Sequence, residues 1–332
     1  MEPMSIRTLT KKDLEFAYEL NTTEQWNDRE EDLSRMYHYE PKGCFVSEIG
    51  KRPLGHIFSV SNGKLGWIGL LIVKTEFRRR GTATQLMKKA IDYLLQCGVK
   101  TIKLEAVPQI YPNYTEHGFV DEYDSLRFIR TASKSHPQKR DNPTLIKKAK
   151  ISEIRELDKK YFGADRTKVL ASLPKEKPQI CFAAYNKTIT TGYIMRRKAK
   201  NGHKIGPFAC NPENTQTAED MLQELMNRLA DTTLYVGVPA PNKNAVELLM
   251  KHGVVQYSKS IRMRLGPELK NERVQSIWDR RTDERLRRHV QKQDCHSARR
   301  RQVKHLSHVP TEKGVTERST SDKIRAESDS DE

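Results

Sequence analysis

The stretch that decides the fold is Ile68-Gly-Leu-Leu-Ile-Val73, followed by Lys74-Thr-Glu-Phe77 and then by Arg78-Arg-Arg-Gly-Thr-Ala83. Its apolar and β-branched start predicts a buried strand. The next residues, Thr84 to Leu95, repeat apolar side chains at helical spacing and predict an amphipathic helix. The side chains predicted to form the core face of this helix are Leu86, Met87, Ala90, Ile91, Leu94 and Leu95.

Between the predicted strand and helix lies a turn with a single glycine, Gly81. Glycine lets a backbone approach a ligand closely, and the first N–H groups of a helix have no intrahelical partner. The helix dipole and the neighbouring arginines, residues 78–80, add a positive field, so the turn predicts a diphosphate site. The sequence has neither G-x-x-x-x-G-K-[ST] nor G-x-G-x-x-G here, which excludes P-loop and Rossmann nucleotide sites.

The pattern R-x-x-G-x-A after this strand resembles the cofactor signature of the GNAT acetyltransferase superfamily. Downstream, Tyr114-Thr-Glu-His-Gly118-Phe119 resembles the Y-x-x-x-G-F element of the same family, whereas Thr75 stands where the family usually has proline. The resemblance implies acetyl-CoA as cosubstrate, with its pyrophosphate on the turn and its pantetheine along the strand. The cofactor-binding residues it implies are Leu71, Ile72, Val73, Arg78, Arg79, Arg80, Gly81, Thr82, Ala83 and Thr84.

The chain of 332 residues is long enough for two domains. A polar segment with two prolines, residues 131–143, predicts a linker between domains at 1–130 and 144–266. Beyond it the pattern restarts, and His117-Gly-Phe-Val120 returns as His252-Gly-Val-Val255. The repeat predicts two tandem copies of one α/β fold, each a mixed twisted sheet flanked by helices. We expect the first domain to be self-contained.

The second copy lacks the features that the first uses. Its strand-to-helix turn, Ala209 to Ala218, contains neither glycine nor arginine, and Glu213 would stand where pyrophosphate should bind. Aligned on the two His-Gly pairs, Leu249 replaces Tyr114. Phe162-Gly-Ala-Asp-Arg166 and Ile205-Gly-Pro207 resemble the second domain of a small group of tandem GNAT proteins. We predict a degenerate copy that serves architecture or substrate binding, rather than a second active centre.

Tyr114 is the candidate general acid. A phenol has an unperturbed pKa of about 10, close to that of an alkyl thiol, so it can protonate the departing thiolate. The resemblance gives Tyr114 this role because it has the family spacing to Gly118-Phe119. Tyr111, three residues earlier, is the competing assignment, and packing of the short helix is the structural alternative.

The general base is less directly indicated, because the strand from Trp67 to Val73 carries no carboxylate. Glu105, on a predicted strand from Thr101 to Val107, is the best substitute, with water-mediated deprotonation as its main rival. Glu48 and the acidic run from Asp28 to Asp32 are weaker candidates, and acidic residues there could instead recruit a cationic amine.

A charged stretch near the N-terminus contains three aromatic residues, Trp26, Tyr37 and Tyr39. In the family this region lines the acceptor groove, which makes these residues candidates for substrate contacts. Packing of a helix onto the sheet is the competing interpretation of each.

Composition limits the remaining possibilities. A formal net charge of +17 favours anionic ligands, which include coenzyme A, acidic proteins and nucleic acid. Five cysteines without a C-x-x-C pattern predict a reducing, cytoplasmic location with no disulfide framework and no metal site. No apolar run approaches the ~18 residues that span a bilayer, and no signal-peptide pattern is present.

Composition changes again after Pro267. Val274, Trp278, Leu286 and Val290 recur at four-residue steps and predict a basic helix with a thin apolar stripe. Residues 310–332 are rich in Ser, Thr and charge and are predicted to be disordered. The basic tail, residues 267–332, could bind nucleic acid or an acidic protein, but a solvated helix is favoured because no aromatics interleave with the arginines.

Together these features predict an N-acetyltransferase that transfers an acetyl group from acetyl-CoA to a primary amine of a small molecule or a protein lysine. The alternative is a non-catalytic acyl-CoA binder or a nucleic-acid-associated adaptor.

Overall fold

Strands and helices of the chain fall into two successive sets of similar order. The computed structural model describes residues 3–132, 145–148, 150–173, 180–270 and 272–278. They belong to one compact unit, Met1–Arg288, and the chain's other unit, His289–Glu332, lies outside the described residues. We call residues 4–130 the first copy and residues 145–265 the second copy.

The first copy begins with a strand and two helices, which lead into a meander of three strands. Its elements are β1 Met4–Thr8, α1 Leu14–Thr23, α2 Glu30–Tyr39, β2 Cys44–Ile49, β3 Arg52–Asn62, β4 Leu65–Val73, α3 Thr82–Gln96, β5 Thr101–Ala106, α4 Tyr111–Thr115 and β6 Val120–Arg130.

The second copy repeats this order, and a further short strand follows it. Its elements are β7 Leu145–Lys148, α5 Ile151–Phe162, α6 Thr167–Ser172, β8 Phe182–Asn186, β9 Ile189–Lys198, β10 His203–Cys210, α7 Thr215–Arg228, β11 Leu234–Pro239, α8 Lys243–Lys251 and β12 Val255–Leu265, with β13 at Ile277–Trp278. The predicted repeat of one mixed α/β fold is confirmed.

All strands join one sheet, in the order β1-β2-β3-β4-β5-β12-β6-β11-β10-β9-β8-β7, with β13 paired to β10. Each copy therefore gives its last long strand to the other, since β12 pairs with β5 and β6 pairs with β11. The two exchanged strands pair with each other in antiparallel fashion, with Ser125 opposite Ser260. The prediction that the first domain is self-contained is wrong, because β5 of the first copy pairs with β12 of the second copy.

Helix α3 covers the first half of the sheet with an apolar face. Leu86, Met87, Ala90 and Leu94 are buried there, as predicted. Leu95 is 51% exposed and was wrongly assigned to this face. At about 100° per residue, it lies roughly a quarter-turn beyond the centre of the apolar stripe.

The segment after β12 does not form the predicted helix at Val274 and Trp278. Val274–Ser276 is a single 3₁₀ turn, and β13 pairs with β10 at Phe208 and Ala209. The buried Lys103 forms an ion pair with Glu272. These contacts tie the start of the predicted tail to the sheet, and the rest of that tail lies outside the described residues.

No helix within the described residues combines the length and apolar composition that crossing a bilayer requires.

Candidate active site

The glycine turn ends β4 and begins α3, as the sequence predicts. Gly81 is the N-terminal cap of α3 and has a φ of 77°, in the left-handed region that favours glycine. A Cβ at Gly81 would meet no atom within 4 Å, so this position opens onto free space. No described side chain caps the helix, and the first N–H groups, at residues 82–84, lack intrahelical acceptors. The turn therefore presents amides and the helix dipole to an anion.

The three arginines before Gly81 are exposed and play different structural parts. Arg78 donates from Nε to the carbonyl of Val73 at 2.8 Å and forms an ion pair with Glu24, which fastens the loop to β4 and α1. The guanidinium of Arg80 lies 5.6 Å from the ring centroid of Phe77. All three contribute positive charge beside the amides of α3.

Strand β4 contains a bulge just before its end. His56 pairs with Ile72 and Phe58 pairs with Gly69, so two residues of β4 stand opposite one residue of β3. Leu70, in the bulge, has a φ of 53°, which is uncommon for a residue other than glycine.

Strands β4 and β5 diverge beyond Trp67. Their parallel pairing covers Leu65 to Trp67 only, whereas β4 stays paired with β3 as far as Val73. Lys74 donates its N–H to Leu54 at 2.8 Å. Because bonded pairs alternate along an antiparallel ladder, Ile72 then faces β3, and Leu71 and Val73 face the opened side. Their backbone groups line a V-shaped cleft that leads to the glycine turn.

Tyr114 reaches this cleft from α4. Its side chain is buried, its ring meets that of Phe119 edge-on at 6.3 Å, and it lines a cavity together with Leu71. Tyr111, the competing candidate, bonds to Asp121, which raises the pKa of its phenol. The geometry therefore brings Tyr114, rather than Tyr111, to the cleft.

Glu105 lines the same cavity and is held by the exchanged strand. Its Oε1 accepts from Nε of Arg262 at 2.7 Å, and its Oε2 accepts from the hydroxyl of Ser260 at 2.7 Å. Arg262 is fully buried, with its guanidinium 4.6 Å from the ring centroid of Trp67. The proposed base role of Glu105 stays a prediction, and it would act through a carboxylate already bonded to the second copy.

The cavity has a volume of about 180 Å³ and is bounded by both copies. Trp26 and Tyr39, two of the aromatic residues named as acceptor-groove candidates, line it, whereas Tyr37 packs against the core beneath α1 and α2. The second copy contributes Phe162, Arg166, Val169, Leu173, Arg197 and Pro207 to its wall.

The other candidate bases are ion-paired. Asp28 binds Lys204 at 2.6 Å, and Asp32 pairs with Arg35 while accepting from the backbone N–H of Arg29. Glu48 binds Arg7 at 2.9 Å on β2, and it does not line the cavity. Within the described ranges, no group of three or more His, Cys, Asp or Glu side chains is placed to hold a metal ion.

Sequence reasoning did not assign several residues that the structure brings to this site. Phe162, Arg166 and Pro207 lie inside the two segments that resembled a tandem group, so the signal was present without a function attached. Arg262 repeats Arg127 at the same offset that separates His117 from His252, and both arginines are buried, so the repeat was the available signal. Strand exchange, which places Arg262 at Glu105, leaves no local signal in the sequence.

Comparison with known proteins agrees with this geometry. A family model for the GNAT acetyltransferase family matches residues 11–119, and one for a GNAT acetyltransferase domain matches residues 154–278. The holothin acyltransferase of Pseudoalteromonas sp. (strain SANK 73390) is 21% identical over 261 residues, which cover 76% of this chain and 86% of that protein.

Among solved structures, a protein from Pyrococcus horikoshii that is described as an acetyltransferase is 26% identical to this chain and superposes with a TM-score of 0.70. The match covers 83% of this chain and 94% of that one. A tandem GNAT protein from the clavulanic acid biosynthesis pathway has a TM-score of 0.57 at 11% identity, with 80% of this chain and all of that chain (100%) covered. The second likeness concerns the fold alone.

Proposed function

We propose that this chain, which belongs to the GNAT acetyltransferase superfamily, transfers an acetyl group from acetyl-CoA to a primary amine in the cleft of its first copy. The observation that carries the proposal is the V between β4 and β5, which leads from the glycine turn to Tyr114. A diphosphate fits the exposed amides at Gly81, and an extended pantetheine fits the backbone edge beside Leu71 and Val73.

The residues of this cleft divide the chemistry between them. The amides of α3 and the arginine field hold the anionic end of the cosubstrate. The backbone N–H of Val73, directed into the V, polarises the thioester carbonyl and stabilises the oxyanion that forms on attack. Tyr114 then donates its phenolic proton to the departing thiolate.

Deprotonation of the amine has two routes. Glu105 lines the cavity and can accept the proton directly, or it can order a water that does so. Because Arg262 and Ser260 fix both carboxylate oxygens, a change at either residue would also alter the base. The second copy would then contribute to catalysis by positioning Glu105.

The test is release of free CoA thiol from acetyl-CoA in the presence of amines, combined with calorimetric binding. Gly81→Glu should weaken acetyl-CoA binding by several kcal/mol, since it places a bulky anion beside the diphosphate. Gly98→Glu is the matched control, because Gly98 has a φ of 79° and open space at its Cβ, and it follows the other end of α3. Equal affinities in the two variants would remove the turn from the proposed site.

A further inference from the structure

The cavity lies between helix α2 and the second copy, which holds this helix at both ends. Before the first turn of α2, Asp28 binds Lys204 of β10 at 2.6 Å. At its last residue, the carbonyl of Tyr39 accepts from Nζ of Lys168 at 3.1 Å, and the hydroxyls of Tyr39 and Ser172 share a hydrogen bond of 2.5 Å. Because protein walls replace water on both sides, charges that line the cavity are screened less than charges on an open surface.

Four arginines line this cavity, and they come from both copies. The first copy supplies Arg35 from α2 and Arg127 from β6, and the second copy supplies Arg166, which precedes α6, and Arg197 from β9. A guanidinium keeps its charge when it is buried, and its planar fork of donors matches the two oxygens of a carboxylate. The lining is therefore rich in groups that recognise anions.

The carboxylates of the lining are fewer, and each is held by a cation of the chain. The ion pairs join Asp28 to Lys204, Asp32 to Arg35 and Glu105 to Arg262. Together with Lys204 and Arg262, the four arginines make six cations, and the three carboxylates make four anions with Asp158, the partner of Arg166. Among the described residues, these side chains carry a net formal charge of +2.

A further charged cluster beside Glu105 does not cancel this excess. Lys103 of β5 binds Glu122 and Glu272, and Glu122 also binds Arg264, so these two cations and two anions are neutral in sum. Positive surroundings disfavour a second ammonium group on the acceptor. They also lower the pKa of the reacting ammonium, which favours the neutral amine that attacks the thioester.

The cavity is long enough for an acceptor that carries a second polar group. At one end it is lined by Leu71 and Tyr114, beside the V, and at the other by Asn62, which pairs with Leu65. Leu65 and Leu71 are six positions apart on β4, or roughly 20 Å at about 3.3 Å per residue. An extended acceptor with its amine at the V can therefore place another group far from the acyl end.

Arginine charge is present away from the acyl end. Phe162 stacks on Trp67 with ring centroids 6.5 Å apart, and the guanidinium of Arg166 lies 3.9 Å from the ring centroid of Phe162. Trp67 is itself four positions before Leu71 on β4. Positive charge thus lies beyond Trp67, where the second copy forms the wall.

We propose that the acceptor is a zwitterion, in which a spacer separates the reacting primary amine from a carboxylate that binds the arginine-lined wall of the second copy. Arg197 is the principal contact, because it lines the cavity and is partly exposed, so a ligand can reach it. Arg127 is only 3% exposed, and Arg166 directs both Nε and Nη2 at Asp158. The inference rests on the proposed function, because it names the acceptor class of the same site.

The experiment compares acceptors of equal chain length that differ in the charge of the far end. The amino acids are 4-aminobutanoate, 6-aminohexanoate, 8-aminooctanoate and 11-aminoundecanoate, each measured against its amide and the corresponding α,ω-diamine by release of free CoA thiol. At the chain length that reaches the arginines, the amino acid should exceed its amide in kcat/KM by about 10–100-fold, the value of a hydrogen bond to a charged group. The diamine should fall below both, because the cavity repels its second ammonium.

Substitution of Arg197 tests its contact with the carboxylate. Arg197→Gln should raise KM for the amino acid about tenfold or more, with the amide and acetyl-CoA affinity unchanged. Arg197→Glu should reverse the order of amino acid and diamine, a gain that loss of folding cannot produce. The matched control is Lys198→Gln, which removes the same charge from the next position of β9, where the side chain is exposed and does not line the cavity.

The outcomes separate the acceptor class from the reaction. A diamine or amide that exceeds the amino acid at every chain length would overturn the zwitterionic acceptor and leave the acetyltransferase assignment intact. Equal effects of Arg197→Gln and Lys198→Gln would overturn the contact at Arg197. Acetyl-CoA binding without thiol release for any amine would overturn the proposed function itself.

Discussion

The two copies contain the same strand divergence, and only one of the two clefts is open. In the first copy, β4 and β5 separate beyond Trp67 and leave the edge of β4 facing the V. In the second copy, pairing of β10 with β11 ends at Ile205, and β13 then pairs with β10 at Phe208 and Ala209. Because β9 occupies the other edge of β10 as far as Cys210, β13 lies in the V itself.

The residues that β13 covers correspond to the edge of the first copy that we propose binds the cosubstrate. Val73 pairs with Gly55, and Cys210 pairs with Gly192 in the same way. The next residues donate equivalent bonds, from Lys74 to Leu54 at 2.8 Å and from Asn211 to Thr191 at 3.1 Å. Phe208 and Ala209 thus match Leu71 and Ile72. The chain's own backbone lies where the first copy would hold pantetheine.

The N-termini of the corresponding helices α3 and α7 differ in the same way. At α3 the cap is Gly81, which has no side chain to satisfy the first amides. At α7 the cap is Asn214, whose Oδ1 accepts from the N–H of Thr217 at 3.1 Å, and Asn211 accepts from the N–H of Glu213 at 3.3 Å. The comparison teaches that the same fold can bind a ligand only where its backbone N–H groups are not already bonded within the chain. In the second copy, side chains of the chain accept hydrogen bonds at this terminus.

The exchanged strands carry a third difference. Arg262 on β12 stands opposite Glu105, whereas Arg127 on β6 stands opposite Gly237. The buried arginine is repeated, but the carboxylate is not. What the second copy retains is a wall of the cavity and the strand that fixes Glu105.

The largest expected effect comes from the phenol, which only the first copy has. Tyr114→Phe should leave acetyl-CoA affinity unchanged and lower kcat by about 10²–10⁴-fold, the range of a general acid. Tyr111→Phe is the matched control on the same helix, since its phenol bonds to Asp121 instead. Rates should be compared under saturating acetyl-CoA. Equal turnover of Tyr114→Phe and wild type would return Tyr114 to a packing role.

A smaller effect should follow from emptying the second cleft. A chain ended after Gly266 loses β13 and the Glu272 partner of Lys103, whose side chain is fully buried. Lys103 keeps its other partner, Glu122, at 2.8 Å. We expect the unfolding free energy to fall by several kcal/mol, because the strand pairing of β13 and the bonds from Arg273 to Tyr161 and from Thr101 to Pro267 are lost, at about 0.5–1.5 kcal/mol each. A chain ended after Trp278 should match the full chain in chemical denaturation and in acetyl-CoA binding. Equal stability of both truncated chains would show that β13 does not support the second cleft.

The sequence predicted those parts of the site that form between neighbours in the chain, but not the pairing of strands that lie far apart in sequence. Residues 68–83 predict the strand, glycine turn and helix, because each depends on neighbours in the chain. The sequence also shows that the corresponding turn of the second copy, around Glu213, has neither glycine nor arginine. The pairing of β12 with β5 depends on strands far apart in sequence, which no local pattern encodes. The four-residue spacing of Val274 and Trp278 mimicked a helix, although backbone pairing with β10 decides that segment.

The smallest expected effect is on the pH dependence of the unfolding free energy. It concerns a position beside the bulge of β4, where the two copies have different buried side chains. His56, which follows Gly55, is fully buried between the rings of Phe16 and Phe58, and burial lowers its pKa to about 4 from 6.5. Its counterpart after Gly192 is Tyr193, whose phenol has a pKa raised well above 10 by burial and by Asp158.

Since the folded-state pKa of His56 lies below its unfolded value, the unfolded chain binds more protons between pH 4 and 6.5. The stabilisation by neutral His56 is complete above pH 6.5 and is lost as pH falls towards 4, by at most about 3 kcal/mol. His56→Gln should therefore flatten the decline of unfolding free energy across this window, measured by urea denaturation at several pH values. Tyr193→Phe should lower stability by a similar amount at every pH, because Tyr193 does not titrate there. A parallel decline in wild type and His56→Gln would place the acid sensitivity of the first copy in other groups.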